Sequence, residues 1–133
     1  MPTKRTFLKS IGALFATMGI STMSKADSSI EDGFMHVVYF WLKNPEEEDD
    51  RQKFVKSLTS FLDEVAVIQY KFVGTPAATD RDVIDSSYTY SLVVITKDRK
   101  DQDTYQDHPS HQRFIAESSS LWEKVVVYDS LSI

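Results

Sequence analysis

Met35-His36-Val37-Val38-Tyr39-Phe40-Trp41-Leu42 is the run on which the fold turns. It is dense in β-branched and aromatic residues, the composition of a strand. Side chains alternate along a strand, so His36, Val38, Phe40 and Leu42 share one face while Val37, Tyr39 and Trp41 share the other. Both faces are apolar. A strand with one wet side would carry polar residues on it, so this one predicts cover on both sides of its sheet.

The chain downstream supplies one of the two covers. Asn44-Pro45-Glu46-Glu47 reads as a helix start, with Asn44 as cap, Pro45 in the first turn and the acids at the positive end of the helix dipole. The acids from Glu46 to Asp50 are expected as a solvated helix end, not a metal site. Phe54, Val55, Leu58, Phe61, Leu62 and Val65 follow at helical spacing and form one apolar stripe. Val67 to Val73 reads as a second strand closed by Gly74. The polar stretch from Thr75 to Ser87 reads as a mobile loop, a candidate pocket rim. Tyr88 to Ile95 is a third strand. A second helix is expected from Asp98 to Gln106, broken at Pro109 and resumed from Ser110 to Trp122. Lys124 to Leu131, centred on Val125-Val126-Val127-Tyr128, closes the order as a fourth strand.

That order is β-α-β-β-α-β. It predicts an α+β, ferredoxin-like fold, an antiparallel sheet with two helices on one face. The helices cover one face only, yet the first strand is apolar on both. The simplest second cover is another copy of the same sheet. The expectation is a homodimer, a dimeric α/β barrel with the two sheets sharing one core.

The chain has 133 residues, the length of one domain, with 41% hydrophobic and 12% aromatic residues. The absence of cysteine excludes disulfides, thiolate catalysis and cysteine-bound metal centres. Residues 1–26 differ from the rest. They carry Lys4, Arg5, Lys9 and Lys25 and no acid, an apolar run from Ile11 to Ile20, and the small-residue ending Ser24-Lys25-Ala26. This is the layout of a signal peptide cleaved after Ala26. The apolar run is far shorter than the roughly 20 residues of a membrane span. Thr3-Lys4-Arg5-Thr6-Phe7-Leu8-Lys9 is similar to the twin-arginine (Tat) export motif, with Lys4 in place of the first arginine. The expected organisation is a signal peptide over 1–26, a short linker over 27–34 and one domain over 35–133, delivered to the periplasm. Beyond residue 26 the chain carries 11 Lys+Arg against 20 Asp+Glu, a net charge of −9. Such a surface suits neither nucleic acid nor an anionic membrane.

Two of the three histidines lie in Tyr105-Gln106-Asp107-His108-Pro109-Ser110-His111-Gln112-Arg113-Phe114. Histidine is the side chain most easily used as base, acid or ligand near neutral pH. The third, His36, heads the first strand. His36-Val37-Val38, Tyr105-x-x-His108-Pro109-x-His111-x-x-Phe114 and the closing Val125-Val126-Val127-Tyr128-Asp129 together resemble the stress-responsive A/B barrel (Dabb) family over about residues 35–131. The family often carries a proline where this chain has Val65-Ala66-Val67. The resemblance implies a dimeric barrel of ferredoxin-like subunits. It extends to the branch holding the plant olivetolic acid cyclase, whose acid/base pair matches Tyr105 and His111 and whose pocket histidine matches His36.

In such cofactor-free chemistry a neutral imidazole removes a proton next to a carbonyl, and a tyrosine hydroxyl stabilises the oxyanion. Tyr105 and His111 are six residues apart and would diverge on an unbroken helix, at about 100° per residue. The break at Pro109 lets both face one cavity. The candidate site is therefore Tyr105 and His111 as the catalytic pair, with His36, Phe40, His108, Phe114 and Trp122 on the pocket wall. Each has a plainer reading: His108 bonding the backbone at the kink, the aromatic residues as core. No cofactor or metal is expected. Three functions remain open. The plainest is a stability or assembly protein with no small-molecule role; the other two involve a small molecule. One is an exported homodimer that binds a small, partly hydrophobic molecule in a His/Tyr-lined pocket. The other is a cofactor-independent cyclase or lyase. Export weighs against direct transfer of the cyclase reaction, because polyketide thioesters are cytoplasmic.

Overall fold

The computed structural model describes residues 28–133. The export segment expected over 1–26 lies outside the described residues. The first strand, β1, runs from Phe34 to Leu42. Phe34 belongs to it and is buried, so the first strand takes in the last residue of the expected linker. Helix α1 spans Glu48–Glu64, β2 Tyr70–Gly74 and β3 Tyr90–Thr96. Helices α2 (Arg99–Asp107) and α3 (Pro109–Ser118) follow, then a 3-10 turn over Ser119–Leu121 and β4 (Trp122–Leu131). The strands form one sheet in the order β2-β3-β1-β4. Every neighbouring pair is antiparallel. This is the ferredoxin-like arrangement expected from the sequence, with β1 at the centre and β4 on its free side.

Alternation along β1 sorts as its sequence demands. Val38, Phe40 and Leu42 are almost wholly buried against the helices, with His36 at their head. They meet Phe54, Leu58, Phe61 and Leu62 of α1, Tyr90, Leu92 and Val94 of β3, and Tyr105 and Phe114 of the paired helices. Aromatic rings form the centre of this core. Phe54 lies 4.9 Å from Phe40 and stacks 5.0 Å from Tyr90, and Phe61 stacks on Phe114 at 5.4 Å. Each such pair adds about 0.5–1.5 kcal/mol beyond the area it buries.

The opposite face of the sheet is apolar and open in the single chain. Met35, Tyr70, Phe72 and Tyr128 are all exposed there. Val37 and Val93 pair across β1 and β3 at its middle. A face of this kind on a monomer marks a contact surface.

Several element ends differ from the sequence expectation, each for a local reason. Asn44 does not cap α1. Its carbonyl accepts from Glu47 N at 3.0 Å, and Arg51 Nη1 donates to the Pro45 carbonyl at 2.9 Å, so Asn44–Glu47 form a separate turn. The helix begins a turn later, at Glu48, without a side-chain cap. β2 is shorter than expected because residues 65–69 turn back on themselves, Ile68 N donating to Val65 O at 3.4 Å. Trp122 lies in β4, not at the end of a helix. Lys43 N donates to Leu121 O at 2.9 Å, and Trp122 then pairs with Leu42 at a register shift. The end of the 75–87 loop is tied to the open sheet face, where Trp41 Nε1 donates to Ser87 Oγ at 3.0 Å and Tyr88 meets Tyr39 ring to ring.

Candidate functional site

The helix break places the site. Asp98 caps α2, its Oδ1 accepting from Asp101 N at 2.9 Å. The last turn of α2 turns Tyr105 inward until it is 1% exposed. His108 then ends one helix and starts the next. Its Nδ1 accepts from Ser110 N at 3.1 Å and lies 2.6 Å from Ser110 Oγ, so the imidazole acts as the N-cap of α3. Pro109 occupies the first position of α3, where its missing N–H costs nothing. This restart brings His111 back towards Tyr105. Their ring centroids are 5.6 Å apart, where an unbroken helix would have parted them.

β1 brings the third polar ring. His36 lies 5.4 Å from Tyr105, edge to face. Cross-strand pairing sets His36 opposite Asp129 of β4. The His36 Nδ1 and Asp129 Oδ1 are 2.6 Å apart. Phe61 packs against His111 at 5.1 Å, and Gln106 Nε2 lies 3.4 Å from His111 Nε2.

These side chains border a cavity of about 140 Å³ between β4 and the paired helices. His36, Phe40, Tyr105, His111, Phe114 and Trp122 all line it, with Phe61, Gln106, Val125 and Val127 among the other walls. A dry cavity of about this size accepts a benzene-sized ring. A shallower groove of about 520 Å³ shares His36, Gln106 and Val127 with the cavity and continues past Arg99, Gln102 and Asp129.

The surroundings set the protonation of two groups. Burial pushes the Tyr105 hydroxyl above its ordinary range, and the Asp129 carboxylate adds to the effect. Tyr105 is therefore a proton donor across the physiological range. Burial lowers the His111 pKa, and nearby His36 lowers it further. His111 is therefore neutral at pH 7, with one nitrogen free to accept.

Of the residues expected at the site, His108 is the one displaced. It is not on the cavity wall, because its ring is committed to the cap of α3. Two participants were missed. Asp129 looks like an ordinary polar end to an apolar strand, and only the β1–β4 register reveals it as the partner of His36. Gln106 looks like a solvated helix residue. Its signal is position: adjacent to Tyr105 and five residues before His111, across the break. Among the described residues, no group of three or more His, Cys, Asp or Glu side chains converges as a metal site would require.

Residues 34–132 match the family described as the stress responsive A/B barrel domain. A Dabb family protein with a ferredoxin-like fold from Mesorhizobium loti superposes with a TM-score of 0.64 at 20% identity, covering 76% of this chain and 97% of its own. A hydroxynitrile lyase from Passiflora edulis gives 0.64 at 17% identity, with 78% and 96% covered. A dimeric ferredoxin-like protein from Thermobifida fusca gives 0.61 at 17%, with 74% and 90% covered. No protein with a curated description matches the chain. At these identities the structural likeness speaks for the fold.

Proposed function

The chain belongs to the stress responsive A/B barrel domain family, and on that premise we propose that it works as an exported homodimer that takes a small, partly hydrophobic molecule into the cavity between β4 and the paired helices. One observation carries the reading. His36, Tyr105 and His111 stand ring to ring, at 5.4 and 5.6 Å, on the wall of a cavity whose other walls, Gln106 apart, are apolar. Apolar walls hold an alkyl or aryl group, and a few convergent polar edges orient a carbonyl or hydroxyl on it. The open, apolar sheet face and the dimeric proteins of the same fold support the homodimer. The basic and apolar make-up of residues 1–26 supports export.

The test is a panel of small aryl and alkyl ketones, aldehydes and phenols, titrated into isotope-labelled protein and followed by NMR. Binding at the cavity shifts the resonances of Tyr105, His111 and Trp122 and leaves Tyr70 and Phe72 unmoved. Val125→Trp, which fills the cavity mouth, abolishes those shifts. If no compound moves the cavity residues, or if Val125→Trp binds as well as wild type, the reading fails.

A second reading is favoured by the protonation of the pair. At neutral pH, Tyr105 holds its proton and His111 has one unprotonated ring nitrogen, the protonation states of a donor–acceptor couple. On a bound carbonyl compound His111 takes the proton from the adjacent carbon. The electron pair moves onto the carbonyl oxygen, where the Tyr105 hydroxyl stabilises it. Attack of the enolate carbon on a second carbonyl of the same molecule, with the proton passed from His111 to the new alkoxide, completes a cyclase step; expulsion of a β leaving group, which departs with the electron pair and takes that proton, completes a lyase step. Under this reading Tyr105→Phe and His111→Gln each lower kcat by about 10²–10⁴-fold while ligand affinity changes little.

A further inference from the structure

Gln106 ties the cavity to the groove beside it. Gln102 is buried on α2, and its Nε2 points at Gln106 Oε1 at 3.5 Å. Gln106 in turn directs Nε2 to His111 Nε2 at 3.4 Å. Two amides and an imidazole thus form a chain with a direction. An amide presents donors at one end and an acceptor at the other, so reversing one link reverses all of them.

The buried end decides the direction. Gln102 Oε1 has no hydrogen-bond partner. Turning that amide over would bury its two N–H groups unpartnered instead, stranding two donors where one acceptor is now stranded. Gln102 therefore keeps its N–H on Gln106. Gln106 must then offer its oxygen to Gln102 and its N–H to His111. Only an unprotonated Nε2 accepts that N–H, which leaves the ring proton on Nδ1.

We propose that Gln106 is a positioning residue for His111: through the buried amide of Gln102 it holds the imidazole as the Nδ1–H tautomer and covers the Nε2 lone pair. The lone pair that would take a proton from a bound ligand is then the one beneath Gln106. A ligand reaching from the groove displaces or turns the amide and uncovers it. Titratable groups also face His111. They are His36 on β1, paired with Asp129 of β4, and the neutral hydroxyl of Tyr105 on α2. Phe61, which α1 contributes, has no titratable group. The chemical use of this tautomer rests on the ligand-binding reading above, but the tautomer itself is a property of the free protein.

Long-range ¹H–¹⁵N spectra of the full chain, labelled at histidine and free of ligand, read the tautomer directly. His111 in wild type is expected as Nδ1–H. Gln106→Leu, at an exposed position, shifts the ratio towards Nε2–H by roughly fivefold, the equivalent of one ordinary hydrogen bond. Gln106→Glu, which only accepts, drives the ring to Nε2–H and keeps it protonated to higher pH. A wild-type ring already in the Nε2–H form overturns the proposal. So does a Gln106→Leu spectrum with an unchanged ratio. Because no ligand is present, failure here is separate from failure of the binding reading. If the tautomer is as proposed and no compound binds, the amide chain stands and the function assigned to the cavity falls.

Discussion

His36 and Asp129 face each other across β1 and β4, with Nδ1 and Oδ1 2.6 Å apart. The histidine is buried and the carboxylate is half exposed. A buried donor aimed at a charged acceptor makes a hydrogen bond worth about 1.5–3 kcal/mol, and losing the acceptor strands the donor. Asp129→Ala, which removes the acceptor, is therefore expected to destabilise the domain by about 1–2 kcal/mol. The partner variant His36→Gln removes the same contact. In urea denaturation the two substitutions should be strongly non-additive, since the second has nothing left to break. Additive losses would show that the pair is not coupled.

The lowered pKa of His111 makes stability depend on pH, and the sign follows from linkage. The folded state binds the proton less readily than the unfolded chain. As pH falls through the unfolded value, about 6.5, the unfolded state gains protons first and stability drops. The contribution is present above that value and is lost below it. Wild type is thus expected to lose stability between pH 7.5 and 5.5, and His111→Gln to show a flatter profile over the same range. Equilibrium urea unfolding at a series of pH values measures both. Equal slopes for the two proteins would assign the effect to other groups.

The fold was legible because β1 carries its own two-sided signal, and the helices reveal themselves by spacing. The ends of the elements were less so. Asn44 has the right chemistry for a cap, but the Arg51 guanidinium holds the Pro45 carbonyl and diverts the chain into a turn first. Trp122 continues an apolar helical pattern, and only the bond from Lys43 N to Leu121 O sends it into β4. The site divides the same way. Tyr105 and His111 stand out as residue types around a proline. Asp129 needs a strand register between residues 93 positions apart, and no local pattern contains it. Gln106 needs the path of the chain after the break, which depends on His108 capping its own successor helix.

Val93 sits at the middle of the open sheet face, paired with Val37. A lysine there puts a charge where a second sheet would pack, and burying an unpaired charge is costly. Val93→Lys is expected to leave the single chain folded, because its side chain points away from the aromatic core, and to prevent the proposed dimer from forming. Sedimentation velocity at micromolar concentration gives the mass, and circular dichroism the fold. A folded Val93→Lys protein that sediments with the wild-type mass would place the contact elsewhere.

His108 presents the cleanest separation of architecture from chemistry. Its backbone has the extended conformation of an N-cap, with φ −62° and ψ 137°, and its ring accepts from the second residue of α3. Side chains of this role are worth about 0.5–2 kcal/mol when replaced by alanine, and asparagine caps well. His108→Ala is therefore expected to lose about that much stability, and His108→Asn to recover most of it. Because α3 carries His111, loss of the cap also loosens the first turn that holds that ring against Phe61. Ligand affinity in His108→Asn should equal that of wild type, since the cavity does not include residue 108. Urea midpoints rank the stabilities, and the NMR titration ranks the affinities. A His108→Asn protein that is stable yet blind to every ligand of the wild type would return the imidazole to the site itself.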